Sequence, residues 1–312
     1  MKFSITIPAY KVRYLYDAIK SVLDQTYKDF ELIIVDDCSP ENLKDIVDKF
    51  KDSRIRYYRN EVNCGARDVV NNWNICLKYC TGDWVICMGD DDMLMPNTLC
   101  EYNELIQRFP NVEILHGRVA QIDEANNIID ILPERAEYET YVSFLYQRLT
   151  FRSQYIGDFC YKKESLLARG GFYKLPFAWG SDDISAYMAS SIFGIANTNK
   201  VVFKYRINGL SISKSGYEDE KLECVDKLFD WIEDSINKSI IPYASSMTIE
   251  DFETFKKIQN IKEISRENCK YHTLMDSLRG RYFQLFLALI GVRKLNVSKH
   301  TILRILKKSI GI

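Results

Sequence analysis

Three adjacent aspartates, Asp90, Asp91 and Asp92, are the residues whose type and spacing most directly indicate chemistry. They follow the apolar run 84–88, which is typical of a buried strand that ends at the rim of a sheet. Neighbouring carboxylates repel one another, so we expect a cation among them. Oxygen ligands of this kind suit Mg²⁺ or Mn²⁺, particularly when substrate phosphates complete the coordination sphere. The alternative is a solvated acidic turn, and the apolar residues on both sides favour a site.

Two further acidic pairs stand beside structural signals. Asp36 and Asp37 follow the run 30–35, whose nearly continuous apolar sequence predicts a strand covered on both faces. Asp182 and Asp183 follow a loop rich in glycine and aromatic residues and open a helical segment. For this pair the alternative is N-terminal helix capping, with acids that suit the helix dipole and Ser181 as the N-cap.

The elements that must position these acids alternate between strand-like and helix-like segments in the first half of the chain. Alternation of this kind predicts parallel strands joined by right-handed crossovers, with ligands bound outside the carboxyl ends of the strands. The predicted strands are 3–7, 30–35, 55–58 and 84–88, and the predicted helices are 14–23, 42–50, 69–79 and a segment from the cap Asn97 to about Arg108.

The second half of the chain has a mixed pattern. We expect a hairpin from 112–122 and 128–132, strands at 156–161 and 201–205, and a helix from Ser181 to about Phe193. From Tyr217 onward the chain has the pattern of helices. The prediction is an α/β fold with a mixed sheet flanked by helices, divided into a catalytic domain of residues 1–215 and a helical C-terminal region of residues 216–312.

Composition excludes several classes of protein. The formal net charge of −1 gives no argument for nucleic-acid binding, so no nucleic-acid partner is expected. The nine cysteines have no CxxC pairs, which indicates reduced thiols of a cytoplasmic protein. The G-x-G spacing of dinucleotide-binding folds and the P-loop pattern are both absent from the sequence. The longest late apolar stretch, 285–292, is shorter than the ~20 residues that span a bilayer.

The sequence resembles glycosyltransferase family 2 over roughly residues 1–215. The resemblance rests on Ile5-Thr6-Ile7-Pro8-Ala9-Tyr10, Ser21-Val22-Leu23-Asp24-Gln25-Thr26-Tyr27, Glu31-Leu32-Ile33-Ile34-Val35-Asp36-Asp37-Cys38-Ser39, Asn63-Cys64-Gly65, Gly82-Asp83-Trp84 with the D-x-D at 90–92, and Asp182-Asp183. It implies a GT-A fold and transfer of a sugar from a nucleotide-sugar with inversion at the anomeric carbon.

The resemblance also implies a role for each matching residue of the donor site. Asp37 matches the acid that contacts the uracil ring, which makes UDP the preferred nucleotide, and Asp36 supports its loop. In the D-x-D, Asp90 is expected to contact the ribose or the sugar, Asp91 the donor sugar, and Asp92 the Mn²⁺ or Mg²⁺. The other positions that match the nucleotide site are Pro8, Ala9, Tyr10, Asn63, Gly65 and Arg67.

The acceptor side is implied by the second acidic pair. Asp182-Asp183 matches the usual Glu-Asp pair of the family, whose second member is the general base, so Asp183 is the expected catalytic residue and Asp182 is a shorter substitute for the first acid. General-base assistance of this kind contributes about 10²- to 10⁴-fold to a rate. Trp179, in the loop before the pair, is expected to touch acceptor or donor.

One segment departs from the family pattern. The residues Tyr205-Arg206-Ile207-Asn208 place an asparagine where the family often has a histidine, which puts direct metal ligation there in doubt. An amide oxygen could bind the metal weakly, and Arg206 or Lys214 could compensate by pairing with the diphosphate.

The end of the chain is basic. From Ser277 to Ile312 there is no Asp or Glu, while eight Lys and Arg side chains are present. Such a segment could lie on an anionic membrane surface beside a lipid-linked acceptor, which places the protein on the inner face of the cytoplasmic membrane. The alternative is that these helices pack on the catalytic domain or form a homodimer.

Two other functions compete with a metal-dependent glycosyltransferase that builds cell-surface polysaccharide on a glycan or lipid-linked acceptor. A sugar-nucleotide nucleotidyltransferase also uses metal-binding acids, but it needs a basic, glycine-rich phosphate loop where this sequence has Pro-Ala-Tyr-Lys-Val-Arg. A nucleotide-sugar-binding subunit that has lost its catalytic activity is the other rival, and the intact Asp92 and Asp183 speak against it.

Overall fold

The structure, a computed structural model, describes residues 1–150, 152–209, 217–243 and 248–277, together with Ser298, Thr301 and Arg304. The predicted residue Lys214 and nearly all of the basic segment 277–312 lie outside these described residues.

A mixed sheet dominates the fold and confirms the predicted architecture. Its described strands run in the order β3-β2-β1-β4-β9-β6-β10-β5, with β7 paired to β6 and β8 paired to β10. The strands are β1 Phe3–Ala9, β2 Phe30–Asp36, β3 Ile55–Arg59, β4 Trp84–Cys87, β5 Met93–Leu94, β6 Ile114–Ile122, β7 Ile128–Ile131, β8 Tyr138–Glu139, β9 Phe159–Lys162 and β10 Ile195–Arg206.

The first four strands are parallel, as the alternating pattern predicts. Every residue of β2 is buried, because helices cover both faces of the sheet at this point. In the register, Ala9 lies opposite Asp36, and Thr6 lies opposite Cys87. The carboxyl ends of β1, β2 and β4 therefore meet at one edge of the sheet.

The second half of the sheet combines both strand directions. The predicted hairpin is confirmed, because β6 and β7 pair in antiparallel fashion. The strand predicted at 156–161 begins later, since Ile156–Asp158 form a 3₁₀ turn before β9. The strand predicted at 201–205 is longer, because β10 extends from Ile195 to Arg206 and pairs with β6 along most of its length.

The helices flank the sheet with bounds close to those predicted in the first half. They are α1 Leu15–Leu23, α2 Leu43–Val47, α3 Val69–Tyr79, α4 Thr98–Arg108, α5 Tyr141–Leu149, α6 Lys163–Ala168, α7 Ser181–Ser190, α8 Glu218–Tyr243 and α9 Ile249–Ser277. The helix predicted at 42–50 is shorter, and the helix predicted to reach Phe193 ends at Ser190.

The capping role predicted for Ser181 is wrong. The N-cap position belongs to Gly180, whose φ of 89° is a left-handed conformation that favours glycine. Ser181 is the first helical residue, and its hydroxyl accepts a hydrogen bond from the backbone N–H of Leu175 at 3.0 Å. The hydroxyl thus fastens the preceding loop to the start of α7.

The C-terminal helices share a core with the sheet. Buried residues of α8, among them Cys224, Val225 and Phe229, belong to the same apolar cluster as Phe172 and Ile184. The division near residue 215 falls in a part of the chain that is not described, so it stays a prediction. Among the described residues, no helix combines the length and the apolar character that crossing a bilayer requires.

Candidate functional site

The carboxyl ends of the central parallel strands are fastened together by the acids that follow them. The backbone N–H of Asp37, after β2, donates to the carbonyl of Ala9, at the end of β1, at 2.8 Å. Asp90, after β4, accepts hydrogen bonds from the backbone N–H groups of Tyr10 and Lys11 through Oδ2, both at 2.7 Å. The three strand ends therefore form one continuous rim.

Asp37 organises the loop that follows β3. Its carboxylate accepts hydrogen bonds from Asn60 Nδ2 at 2.8 Å and from the backbone N–H of Cys64 at 2.9 Å. The side-chain amide of Asn63 donates to the Asp37 carbonyl at 2.6 Å, and Gly65 has a φ of 76°. The predicted residues Asp37, Asn63 and Gly65 thus lie in one loop cluster beside the rim.

Asp36 lies beneath this cluster and is fully buried. Its carboxylate accepts hydrogen bonds from the Tyr57 hydroxyl at 2.6 Å and from the backbone N–H of Ser39 at 2.7 Å, and it pairs with the guanidinium of Arg59. All these partners come from the ends of β2 and β3, so Asp36 holds the rim together from below.

Asp90 and Asp92 are both buried, at 6% and 5% exposure. Burial, opposed by the nearby Lys11 ammonium and reinforced by Asp91, raises the pKa of Asp90 to about 6. Burial and the Asp91 charge raise the pKa of Asp92 well above its usual range. The charged forms of the two buried acids are therefore disfavoured, and a nearby positive charge would favour them.

Asp92 and Asp91 are oriented by residues at the end of β10 and just after it. The backbone N–H of Arg206 donates to Asp92 Oδ1 at 2.9 Å, and Asn208 Nδ2 donates to Asp91 Oδ2 at 2.7 Å. Asp92 Oδ2 accepts no hydrogen bond from any described residue and is the oxygen left for a ligand. Lys11 Nζ stands 3.9 Å from Asp91 Oδ2.

Gly89 makes this packing possible. A Cβ at this position would lie 2.8 Å from Asp91 Oδ1 and 2.9 Å from Asp92 Oδ2. Because these distances are shorter than any normal contact of a Cβ, a larger residue would push both carboxylates aside. Two acids therefore fold back over the glycine that precedes the triplet.

Arg206 is 2% exposed, and its guanidinium is turned toward the protein. It donates to the carbonyls of Asp91 at 2.7 Å and Asp123 at 2.9 Å and to Asn126 Oδ1 at 2.6 Å, and it lies 4.2 Å from the centre of the Tyr14 ring. In this position it orders the loop of the acids, while its predicted pairing with a diphosphate stays a prediction.

The second acidic pair stands at the start of α7, and its two members have different surroundings. Asp183 receives two hydrogen bonds from Arg148, at 2.8 and 3.0 Å, and one from Gln154 at 2.6 Å. Asp182 receives no hydrogen bond from a side chain of the described residues; its carboxylate lies beside the backbone N–H groups of Asp182 and Asp183. Of the two, Asp183 alone is therefore held by described side chains from other elements, namely Arg148 of α5 and Gln154 of the segment after it.

The loop before α7 is strained and held by the C-terminal helices. Phe177 and Ala178 have φ of 58° and 56°, a region that costs a non-glycine residue about 1 kcal/mol or more. The Trp179 indole N–H donates to Thr273 Oγ1 of α9 at 3.1 Å, and Lys221 Nζ of α8 lies 4.9 Å from the Trp179 ring centre. Helices α8 and α9 thus fix the approach to the acidic pair.

The remaining predicted residues are Pro8 and Arg67. Pro8 ends β1 beside Ala9, and Arg67, after the Asn63 loop, pairs with Glu220 of α8 at 2.9 Å.

Four residues of the site were not predicted from the sequence: Arg148, Gln154, Asn60 and Lys11. The sequence gives little sign of these residues, because a single arginine on an apolar helix could equally well point into solvent. The fold is what brings Arg148 to Asp183.

The acids fit a metal site whose coordination is completed by the substrate, rather than a site in which the protein supplies all the ligands. Among the described residues there is no group of three or more His, Cys, Asp or Glu arranged to ligate a metal ion. The free Oδ2 of Asp92 offers one hard oxygen. Mg²⁺-type sites commonly use one or two carboxylates with the phosphates of the substrate, and the acids at the rim fit that pattern.

Comparison with known proteins agrees with this arrangement. The family model described as Glycosyl transferase family 2 matches residues 4–171, more than half of the chain. An uncharacterized glycosyltransferase of Haemophilus influenzae is 32% identical over 114 residues, covering 36% of this chain and 37% of its own length.

Two relatives from Escherichia coli carry more specific names. The UDP-Glc:alpha-D-GlcNAc-diphosphoundecaprenol beta-1,3-glucosyltransferase WfgD is 28% identical over 239 residues, covering 75% of this chain and 87% of the relative. The putative colanic acid biosynthesis glycosyl transferase WcaA is 43% identical over 84 residues, covering 26% of this chain and 29% of the relative. For two of these three relatives, the chain thus covers less than half of the relative's length.

Solved structures show the same fold. Staphylococcus aureus TarS 1-349 in complex with UDP-GlcNAc aligns with a TM-score of 0.61 at 18% identity, covering 89% of each chain. The mannosyltransferase PcManGT from Pyrobaculum calidifontis, in complex with GDP-Man and Mn²⁺, aligns with a TM-score of 0.57 at 13% identity, covering 99% of this chain and 79% of that one. These are glycosyltransferase folds, and the predicted GT-A fold is confirmed.

Proposed function

The chain belongs to glycosyltransferase family 2, and we propose that it is a divalent-metal-dependent, inverting enzyme that moves a sugar from a UDP-sugar to a hydroxyl of a lipid-linked or other glycan acceptor in cell-surface polysaccharide synthesis. The observation that carries the proposal is the convergence of Asp37, Asp90 and Asp92 on one rim of parallel strands. Family membership favours a glycosyltransferase over the nucleotidyltransferase and over a binding subunit without activity.

The donor half of the site comprises the rim and the loop after β3. We assign the nucleoside to the pocket formed by Pro8, Ala9 and Tyr10 with Asp37 and the Asn63 loop. Asp37 is 6% exposed and already accepts backbone and amide hydrogen bonds, so its position is set before a nucleotide arrives. A binding group that needs no reordering loses less entropy when the ligand binds.

Mn²⁺ or Mg²⁺ would fit at Asp92, whose Oδ1 accepts from the Arg206 backbone and whose pKa is raised by burial and by the Asp91 charge. When bound, such an ion supplies positive charge to the departing diphosphate. Asp92 would hold the ion, while Asp90 ties the acids to the end of β1 and Asn208 restrains Asp91.

The acidic pair at α7 supplies the base for the acceptor. The acceptor hydroxyl attacks the anomeric carbon from the face opposite the diphosphate, and a carboxylate takes its proton. One attack from the opposite face inverts the configuration, so no second carboxylate is needed as a nucleophile. We assign Trp179, whose indole N–H is held by Thr273 of α9, to the acceptor side of the pair.

WfgD, of which this chain covers 87%, supports the choice of donor and acceptor. WfgD is named for UDP-glucose and for an acceptor sugar on a diphospholipid, and 75% of this chain aligns with it. An enzyme with such an acceptor works at a membrane surface, and we propose the inner face of the cytoplasmic membrane. The basic segment 277–312 is the part of the chain that we expect to contact anionic lipid.

A screen of donors by thermal shift tests the nucleotide and the metal together. UDP-, GDP- and dTDP-sugars are added with Mn²⁺ or with a chelator. A ligand at 100 times its Kd stabilises the folded state by about 2.7 kcal/mol, so a UDP-sugar with Mn²⁺ is expected to raise the melting temperature most.

The matched variants are Asp92→Asn and Asp48→Asn, the latter an exposed aspartate near the end of α2. Asp92→Asn should lose the Mn²⁺-dependent part of the shift, and Asp48→Asn should keep it. Equal stabilisation with chelator and with Mn²⁺ would contradict metal dependence, and a response to GDP-sugars alone would contradict the choice of UDP.

A further inference from the structure

We propose that Asp182, rather than Asp183, takes the proton from the acceptor hydroxyl, and that Asp183 is a positioning residue that holds Arg148 beside it. This inference rests on the proposed function, because it concerns which member of the acidic pair acts as the base.

Asp183 is already committed to other groups. Its two carboxylate oxygens receive a two-pronged pair of hydrogen bonds from Arg148 of α5, and Oδ1 also accepts from Gln154 Nε2. The residue is 3% exposed. A two-pronged arginine–carboxylate pair is among the strongest hydrogen-bonded pairs in proteins, so drawing Asp183 to a substrate would leave the partly buried Arg148 without this partner.

The surroundings of Asp182 differ from those of Asp183 in both exposure and hydrogen-bond partners. Its side chain is partly exposed, and among the described residues no side chain donates a hydrogen bond to it. The backbone N–H groups at the start of α7 are its hydrogen-bonding neighbours, and they orient the carboxylate without surrounding it. A general base needs an oxygen that a substrate hydroxyl can reach, and Asp182 offers one.

The two carboxylates also act on different parts of the molecule. The Tyr205 pKa is raised by burial and by the charges of Asp92, Asp91 and Asp182, so this tyrosine of β10 lies within the electrostatic reach of both acidic clusters. Asp183 instead acts on Arg148, on Tyr187 of its own helix and on Cys269 of α9. Tyr205 thus links Asp182 electrostatically to the donor acids, whereas Asp183 is bound to Arg148 of α5.

The electrostatic setting suits a base at neutral pH. Burial and the adjacent Asp183 charge together raise the pKa of Asp182 to about 7, although Arg148 opposes the shift. A base whose pKa lies near the operating pH combines the correct ionisation with a useful driving force for proton transfer. The titratable and charged groups that face Asp182 from the surrounding elements are Asp183 on α7, Arg148 on α5, Asp158 before β9, Tyr161 on β9 and Tyr205 on β10.

The step balances without a further reactant. The acceptor oxygen forms a bond to the anomeric carbon, and the bond from that carbon to the diphosphate oxygen breaks. The electron pair of the broken bond leaves with UDP. The hydroxyl proton passes to the Asp182 carboxylate and is later released to water.

The test compares Asp182→Asn and Asp183→Asn with wild type and with the Asp48→Asn control. UDP release is measured with UDP-glucose, Mn²⁺ and a synthetic GlcNAc-diphospho-lipid, or with the UDP-sugar that the donor screen selects. UDP binding by calorimetry shows that each variant is folded and still holds the donor. Asp48→Asn should match wild type in every measurement.

We expect Asp182→Asn to lose at least about 10²-fold in kcat while the Kd for UDP stays within a few-fold of wild type. Asp183→Asn should retain more turnover than Asp182→Asn. Its pH profile should move to lower pH, because the neighbouring negative charge that raises the Asp182 pKa is gone and Arg148 remains. Asp182→Glu should recover part of the activity with a displaced pH profile.

The outcomes separate the inference from the function. If Asp183→Asn is inactive while Asp182→Asn turns over at the wild-type rate, the assignment of Asp182 is overturned and the transferase stands. If wild type releases no UDP from any nucleotide-sugar, the proposed function itself is overturned.

Discussion

The backbone N–H of Arg206 donates to Oδ1 of Asp92 at 2.9 Å, although the two residues are 114 positions apart in the chain. The bond joins the end of β10 to the acid that we assign to the metal. Because the Arg206 side chain also donates to the Asp91 carbonyl, one residue holds the acidic triplet by both its main chain and its side chain.

Arg206→Lys tests this relationship. Lysine keeps the positive charge but cannot reach the carbonyls of Asp91 and Asp123 and the Asn126 amide together. Each buried acceptor left without a partner costs about 1–3 kcal/mol, so unfolding midpoints in urea should fall clearly. The KM for the donor should rise several-fold as the acids lose their order. Wild-type stability and KM in this variant would show that the guanidinium contributes nothing to the site.

Gly89→Ala tests the packing of the acids over the glycine. The new methyl group would stand 2.8 Å from Asp91 Oδ1 and 2.9 Å from Asp92 Oδ2, so both carboxylates must turn away. We expect the Mn²⁺ concentration for half-maximal activity to rise at least tenfold while the protein stays folded. Gly209→Ala is the matched control, because a Cβ there meets nothing within 4 Å. Equal metal dependence in both variants would contradict the role of Gly89.

Much of the fold follows from sequence, and the reason is visible in particular elements. The buried strand β2 and the helix α3 are specified by local apolar patterns, and their predicted positions agree with the structure to within one residue. By contrast, β10 begins six residues before the predicted strand, because its pairing with β6 comes from tertiary contacts that no local pattern reports. The N-cap at Gly180 was missed for a similar reason, since Ser181 is used to hold Leu175.

The residues of the candidate site also fall into those that the sequence could predict and those that it could not. Acids that follow strands could be predicted from their positions, because the carboxyl edge of a parallel sheet collects them. The partner of Asp183 could not, since Arg148 lies 35 positions earlier on another helix. Nor could the sequence separate the two members of the acidic pair, whose identical side chains differ only in what the fold packs against them.

Thr273→Val tests the link between α9 and the loop before α7. The change removes the acceptor of the Trp179 indole N–H, and the unpaired indole should cost about 1 kcal/mol of stability. Because Phe177 and Ala178 are strained, a released loop should relax and displace the acidic pair. We expect kcat to fall several-fold with little change in UDP affinity, measured by steady-state kinetics and calorimetry. An equal loss in UDP affinity and in kcat would place the effect on the donor side instead.

The ionisation of Glu31 should make the stability of the fold depend on pH in the acid range. Burial opposes its charge, but hydrogen bonds from Thr81, Ser4 and Arg56 outweigh it and lower the pKa of Glu31 to about 2. A depressed carboxyl pKa stabilises the fold above the unfolded-state value near 4.5, and that contribution is lost as the pH falls from about 4.5 toward 2.

Urea unfolding of wild type and Glu31→Gln measures this contribution. At pH 7 the variant should be less stable by the order of 1–2 kcal/mol. The gap should narrow as the pH is lowered below about 4.5. A gap that does not change with pH would show that the hydrogen bonds of Glu31 do not depend on its charge.

The most direct test of the account is the anomeric configuration of the product. Wild-type enzyme with Mn²⁺, an α-linked UDP-sugar and a GlcNAc-diphospho-lipid should yield UDP and a β-linked product, identified by the proton coupling constant at the anomeric carbon, and the reaction should stop when a chelator is added. An α-linked product, or no transfer from any UDP-sugar, would contradict the claim that this chain is a metal-dependent inverting glycosyltransferase.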